Sequence, residues 1–147
     1  MSNYAYVATR ARSRRSRLLP AEAYNQLLNL EHAEIARYIQ DLEYRREIDR
    51  YGSTLSGADL IETALVDNLA KDVGDFLSFS KGKLRDILHV YAEKYRIENL
   101  KNIVRGINQN MDKQNLERLV CPINDSDKEL YNKLYDSKTV EDMVSSL

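Results

Sequence analysis

Apolar residues recur along this chain at three- and four-residue spacing, the period of an amphipathic helix. Two stripes are cleanest: Leu84, Ile87, Leu88, Tyr91 and Tyr95 within Lys83–Arg96, and Ile97, Leu100, Ile103, Val104 and Ile107 within Ile97–Asn108. Each predicts a helix. Asp59–Ser80 carries Leu60, Ile61, Ala64, Leu65, Leu69, Val73, Phe76 and Leu77 around much of its circumference. It is expected to be the central, most buried helix, with Gly74 as a bend. Tyr4–Leu19 has a narrower stripe of Tyr4, Val7, Ala11 and Leu18. Pro20 closes that helix and suits the first turn of the next, Ala21–Leu30. Glu31–Leu42 sets Ile35, Tyr38, Ile39 and Leu42 on one face. Tyr44–Tyr51 reads as a short charged helix ended near Gly52, followed by the clearest loop, from Gly52 to Gly57. Short helices are expected near Asn115–Val120, Ser126–Tyr135 and Thr139–Leu147, with Ser126/Glu129 and Thr139/Asp142 suited to helix starts. Leu69, Leu88, Ile103 and Val104 lie on the strongest stripes and are expected in the core.

No stretch of four or more residues alternates as a strand with β-branched enrichment. Only Pro20 and Pro122 break the backbone, and the five glycines stand singly. The expected fold class is all-α, a multi-helix, bundle-like unit of about eight to ten helices. At 147 residues, 43% of them hydrophobic and 31% charged, the chain is expected to form a single helical domain over residues 1–147 with a real core.

Charge changes this picture at one end. Arg10, Arg12, Arg14, Arg15 and Arg17 fall in the first twenty residues, where no acid appears, so that segment carries a formal +5. The other 17 basic residues face all 23 acids, and the whole chain comes to −1. On a helical wheel Arg10, Arg14 and Arg17 flank the apolar stripe on one side, and Arg12 and Arg15 on the other. One reading is internal pairing with carboxylates of the Glu22, Glu31 or Glu43 regions. Another gives Arg10, Arg14 and Arg17 a partner-binding role against an acidic surface. A third, a small helical nucleic-acid-binding module using this helix, is opposed by the acidic remainder of the chain.

Reactive chemistry is sparse. The glycines form no phosphate cradle, so no nucleotide site, catalytic residue or cofactor is expected. Cys121 is the lone cysteine, which excludes an internal disulfide and a cysteine zinc site, fits a reducing compartment, and reads as a buried inert thiol. Asp86 and His89 share one helix face but lack further ligands, so no metal site is expected there; His32 reads as surface. Tyr4, Tyr24, Tyr38, Tyr91 and Tyr95 fit helical apolar positions and read as packing residues. The charged stretch Glu43–Arg50 reads as a solvated face. The longest uncharged run, residues 1–9, falls far short of the ~20 residues that span a bilayer, so a soluble chain is expected.

Three segments, in order, carry a resemblance. Tyr4-Ala5-Tyr6-Val7-Ala8-Thr9-Arg10-Ala11-Arg12 leads to Arg17-Leu18-Leu19. Asp59-Leu60-Ile61-Glu62-Thr63-Ala64-Leu65 precedes Asn68-Leu69-Ala70. Tyr95-Arg96-Ile97-Glu98-Asn99-Leu100-Lys101-Asn102-Ile103-Val104-Arg105-Gly106 follows, and Val140-Glu141-Asp142-Met143-Val144 closes the set. Together they resemble the C subunit of the A/V-type ATP synthases, whose eukaryotic relative is the d subunit of the vacuolar ATPase. Tyr95 stands where that family usually carries tryptophan, and Glu98 where it often does. The family protein is more than twice this length and looks like three similar helical units arranged as a funnel. The resemblance therefore implies that this chain corresponds to the first unit or slightly more. It further implies a non-catalytic adaptor that joins the central shaft subunits to the proteolipid ring during proton or sodium transport. Such an adaptor would bind other subunits of the rotary ATPase, with no nucleic acid and no small-molecule ligand. It would sit peripherally on the cytoplasmic face of a membrane, touching it only through the ring.

Overall fold

The computed structural model describes residues 3–145. Among them it contains nine α-helices and no strand: α1 (Tyr4–Arg15), α2 (Ala21–Leu27), α3 (His32–Gln40), α4 (Arg45–Tyr51), α5 (Gly57–Phe79), α6 (Lys83–Asn108), α7 (Lys113–Arg118), α8 (Asp125–Leu134) and α9 (Val140–Ser145). The all-α expectation holds. The chain divides into two compact units, Asn3–Leu69 and a second that begins at Ala70, with α5 continuing from one into the other.

In the first unit, α3 packs on α4, and Ala36, Ile39, Ile48, Leu60 and Ala64 form the buried cluster. Tyr38, Tyr44, Tyr51 and Leu55 pack around it. The start of α3 is fixed by a reciprocal cap. The Glu31 carboxylate accepts from the backbone of Glu34, and the Glu34 carboxylate accepts from the Glu31 N–H at 3.0 Å. Two of the orphan donors that every helix start exposes are thereby satisfied.

In the second unit, α6 packs against α7 and α9. Ile103, Ile107, Leu116, Val120, Tyr131, Leu134, Tyr135 and Met143 form its buried cluster. Burying each large side chain of this set contributes about 1.5–3 kcal/mol. Gly106 and Gly74 permit two close approaches. A Cβ on Gly106 would overlap a Leu116 methyl, and one on Gly74 would stand 2.7 Å from the Ile123 carbonyl oxygen. Gly74 therefore marks where another backbone meets α5.

Several expectations need correction. Lys83–Arg96 and Ile97–Asn108 are one helix of 26 residues, because no breaker separates Arg96 from Ile97. Helix α1 ends at Arg15, not Leu19. Arg17 and Leu18 donate to the carbonyls of Arg14 and Arg15 in a tighter final turn, and Leu19 precedes a proline, which disfavours helix. Of its stripe only Val7 is buried; Tyr4 and Leu18 are exposed. Helix α5 is not buried all round, since Leu65, Val66 and Leu69 face outward. Of the four expected core residues Ile103 is fully buried and Val104 packs against the core; Leu88 is half-buried, and Leu69 is 45% exposed. Glu43–Arg50 is not wholly solvated, because Glu47 is only 3% exposed. Tyr4, Tyr24 and Tyr91 are exposed, whereas Tyr131 and Tyr135 are the buried tyrosines. Cys121 is half-buried rather than enclosed. Asn124, not Ser126, caps α8, accepting from the Asp127 N–H at 2.8 Å. Thr139 does cap α9, accepting from the Asp142 N–H at 3.1 Å. The last two residues of the predicted Thr139–Leu147 helix lie outside the described residues.

Candidate functional site

Helix α1 concentrates the positive charge. Arg12, Arg14 and Arg15 occupy its last turn, where the carbonyl end of the helix favours cations. The hydroxyls in this segment turn back onto the helix: Thr9 donates to the Ala5 carbonyl at 3.0 Å and Ser16 to that of Ser13 at 2.8 Å. The guanidinium of Arg10 lies over the Tyr6 ring, 5.6 Å from its centroid. Arg14 is half-buried, and Arg10, Arg12 and Arg15 are exposed. Arg17, beyond the helix end, places Nη1 at 3.1 and 3.0 Å from the two carboxylate oxygens of Glu43. Arg10 and Arg14 thus share α1, while Arg17 stands in the turn that follows it. The Arg17–Glu43 pair leaves its side chains 55% and 47% exposed. Water screens such a pair, so its net worth is about 0–1 kcal/mol.

A second polar constellation, not foreseen from sequence, lies within the second unit. Arg96 of α6 sets Nε 2.7 Å from Asp127 Oδ1 and Nη1 3.0 Å from Glu93 Oε1. The hydrogen bond to Glu93 holds the Arg96 guanidinium even more firmly in its charged form. Burial pushes the Asp127 carboxyl above its ordinary range, although the charge of Arg96 and a backbone hydrogen bond from Ile123 pull the other way. One turn along α6, Asn99 donates to the Cys121 carbonyl at 2.8 Å and accepts from the Cys121 N–H at 3.3 Å. The same amide reaches the Tyr131 hydroxyl at 3.5 Å. These bonds tie α6 to the segment before α8 and to α8 itself. The Asn124–Asp127 spacing at a helix start was a readable signal; the pairing with Arg96, 31 positions away, was not.

Beside this network a cleft of about 390 Å³ is lined by Lys71, Asp75, Ser78, Arg85, His89 and Asn124. His89 is part of this lining, and Asp86 is not. Among the described residues no three His, Cys, Asp or Glu side chains converge as a metal site. His32 is exposed at the start of α3. Among the described residues no helix is long and apolar enough to cross a membrane.

The profile of the family described as ATP synthase (C/AC39) subunit matches residues 7–147. The C subunit of the A-type ATP synthase of Haloferax volcanii is 38% identical over 146 residues, covering 99% of this chain and 42% of that protein. Its counterpart from Archaeoglobus fulgidus is 34% identical over 143 residues, 97% of this chain and 42% of that protein. That of Methanosarcina acetivorans is 43% identical over 105 residues, 71% of this chain and 29% of that protein. The chain spans 42% or less of the length of these curated relatives. No solved structure gives a significant match. With the family profile running over almost its whole length, the chain belongs to the ATP synthase (C/AC39) subunit family.

Proposed function

We propose that this chain serves as a non-catalytic coupling part of a rotary A/V-type ATPase or ATP synthase. It links the central rotor shaft to the membrane proteolipid ring during proton or sodium transport. The observation that carries the reading is the match to the C subunit of an A-type ATP synthase over 99% of the chain. Its helical construction supports the reading: torque transmission asks for stiff, packed elements and contact surfaces, with the nucleotide chemistry left to other chains. In this reading residues 1–147 supply one helical unit of such a protein. The chain sits peripherally at the cytoplasmic face, held there by shaft and ring subunits.

The proposed contact is the arginine-rich segment. Arg10 and Arg14 on α1, with Arg17 just beyond it, meet an acidic surface of a neighbouring subunit. Arg17 can exchange its exposed Glu43 partner at little cost, because such pairs are weak. The test is purification of the tagged chain from cells in mild detergent. Shaft subunits and ring proteolipids should accompany it in fixed proportion. Recovery without either, or with nucleic acid in their place, overturns the reading.

A further inference from the structure

Helix α6 has two dissimilar faces. Ala92, Asn99, Ile103 and Ile107 are buried and lie to one side of the wheel. On the opposite side, within about 120° at 100° per residue, stand Ile87, Val90 and Ile97. These are 61%, 75% and 51% exposed. Tyr91 sits at the edge of this strip, also exposed, and its hydroxyl shares a hydrogen bond with that of Tyr95 at 3.2 Å. A solvated helix face is normally polar, so three aliphatic side chains turned outward on one arc mark a surface that gains by being covered.

Charge says what covers it. Lys83, Lys94, Lys101 and Arg105 fall on the same arc and are exposed. The acid on that arc, Glu98, is already bound to Lys101 at 2.9 Å. The strip runs from Lys83 to Arg105, about 33 Å at 1.5 Å per residue. After Lys83 come the apolar Ile87 and Val90, and from Lys94 onward cations alternate with Ile97. Such a strip fits an amphipathic helix with apolar residues spaced by three and four and acids along its flank. An anionic membrane surface also attracts basic, apolar helices. Here, however, Asp86 and Glu93 border the strip and would be pressed against anionic headgroups.

We infer that the exposed face of α6, centred on Val90 and Lys94, is a docking surface for an acidic amphipathic helix of another chain. The rotary complex proposed above would supply that chain, and the inference rests on that reading only for this identity. The chemistry of the surface can be tested without the complex. The probes are two synthetic helices of about twenty residues with the same leucine stripe, one flanked by Glu and one by Lys. Their binding to the full chain is followed by fluorescence anisotropy. The Glu-flanked helix should bind at least tenfold more tightly. Lys94→Glu/Lys101→Glu should abolish that preference, and Val90→Asp should weaken the Glu-flanked helix at least tenfold. Circular dichroism melts identify a variant that fails to fold, and Ile87→Asp then replaces Val90→Asp. Equal binding of the two helices, binding indifferent to these substitutions, or flotation with phosphatidylglycerol vesicles in place of peptide binding would overturn the proposal. So would self-association that closes the face, seen as a dimer by sedimentation and lost in Val90→Asp. Because purification from cells tests the rotary assignment and the peptides test this surface, either can fail alone.

Discussion

The Arg96 guanidinium meets the Asp127 carboxylate at 2.7 Å, and the two members of the pair are unequally enclosed. The side chain of Asp127 is 2% exposed, whereas that of Arg96 is 36% exposed. The acid therefore bears most of the desolvation, and the arginine keeps partial access to water. Removing Arg96 leaves a buried carboxylate without its cation. Removing the charge of Asp127 leaves an arginine that can still solvate itself and hold Glu93. Arg96→Met should accordingly cost about 1–3 kcal/mol, below the range for a fully buried pair because one partner is part-exposed. Asp127→Asn should cost less. Urea unfolding of both variants checks the order, and a larger loss for Asp127→Asn would reverse the argument.

The pH dependence of that carboxyl has a definite sign. Burial raises its folded-state pKa above the ordinary 3.8, despite the nearby arginine. The folded state then holds the proton to higher pH than the unfolded state does. The stabilisation from this group is fully present below the unfolded value and is lost as pH rises through the raised folded value. A carbon-detected NMR titration of Asp127 should give a midpoint above 3.8, and Arg96→Met should move it further upward. A midpoint below 3.8 would mean that the ion pair outweighs burial.

Ile103 and Leu69 sit on comparably strong sequence stripes but in opposite surroundings. Ile103 is fully buried in the cluster around Tyr131 and Leu134, while Leu69 is 45% exposed. Ile103→Ala should cost about 2–5 kcal/mol through lost transfer energy and the cavity left behind. Leu69→Ala should stay within about 1 kcal/mol, as exposed positions usually do. Equilibrium unfolding in urea compares them directly. Similar losses at both sites would place Leu69 in a covered environment.

Gly74→Ala sets two effects against each other. Alanine is the better helix former by about 1 kcal/mol. Its methyl would stand 2.7 Å from the Ile123 carbonyl, a backbone atom that cannot swing aside as a side chain can. The steric effect should win, giving a net loss of about 1–3 kcal/mol, in line with overpacked sites. A thermal melt at or above that of the parent chain would show that residues around Ile123 yield freely.

Charge reversal of Arg10, Arg14 and Arg17 to Glu separates a contact role from an internal one. The Arg17 change by itself removes only an exposed, screened pair with Glu43, worth about 0–1 kcal/mol. Recovery of shaft and ring subunits with the tagged chain should fall, and the gap between variant and parent should narrow as salt rises. Unchanged recovery with a lowered melting temperature would assign these arginines to the fold alone.

Much of this protein follows from local rules, and those rules mark where its sequence is informative. Apolar residues at helical spacing, two prolines and scattered glycines determined an all-α chain, and Thr139 with Asp142 marked a helix start that the structure contains. The ordered segments from Tyr4 to Gly106 determined the family. Local spacing also pointed to Ile103, which has Leu100 and Ile107 at three and four positions and is fully buried. It could not say which side of an apolar strip finds a neighbour. Ile87 and Tyr91 read as part of a packing face, yet both are exposed and α6 buries Ala92 and Asn99 instead. Whether Arg96 would reach Asp127, Arg17 would reach Glu43, or Gly74 would admit the Ile123 carbonyl depended on segments 26 to 49 positions apart. Periodicity is a property of one helix, whereas burial and ion pairing are properties of two elements brought together. Only the tertiary fold decides that meeting.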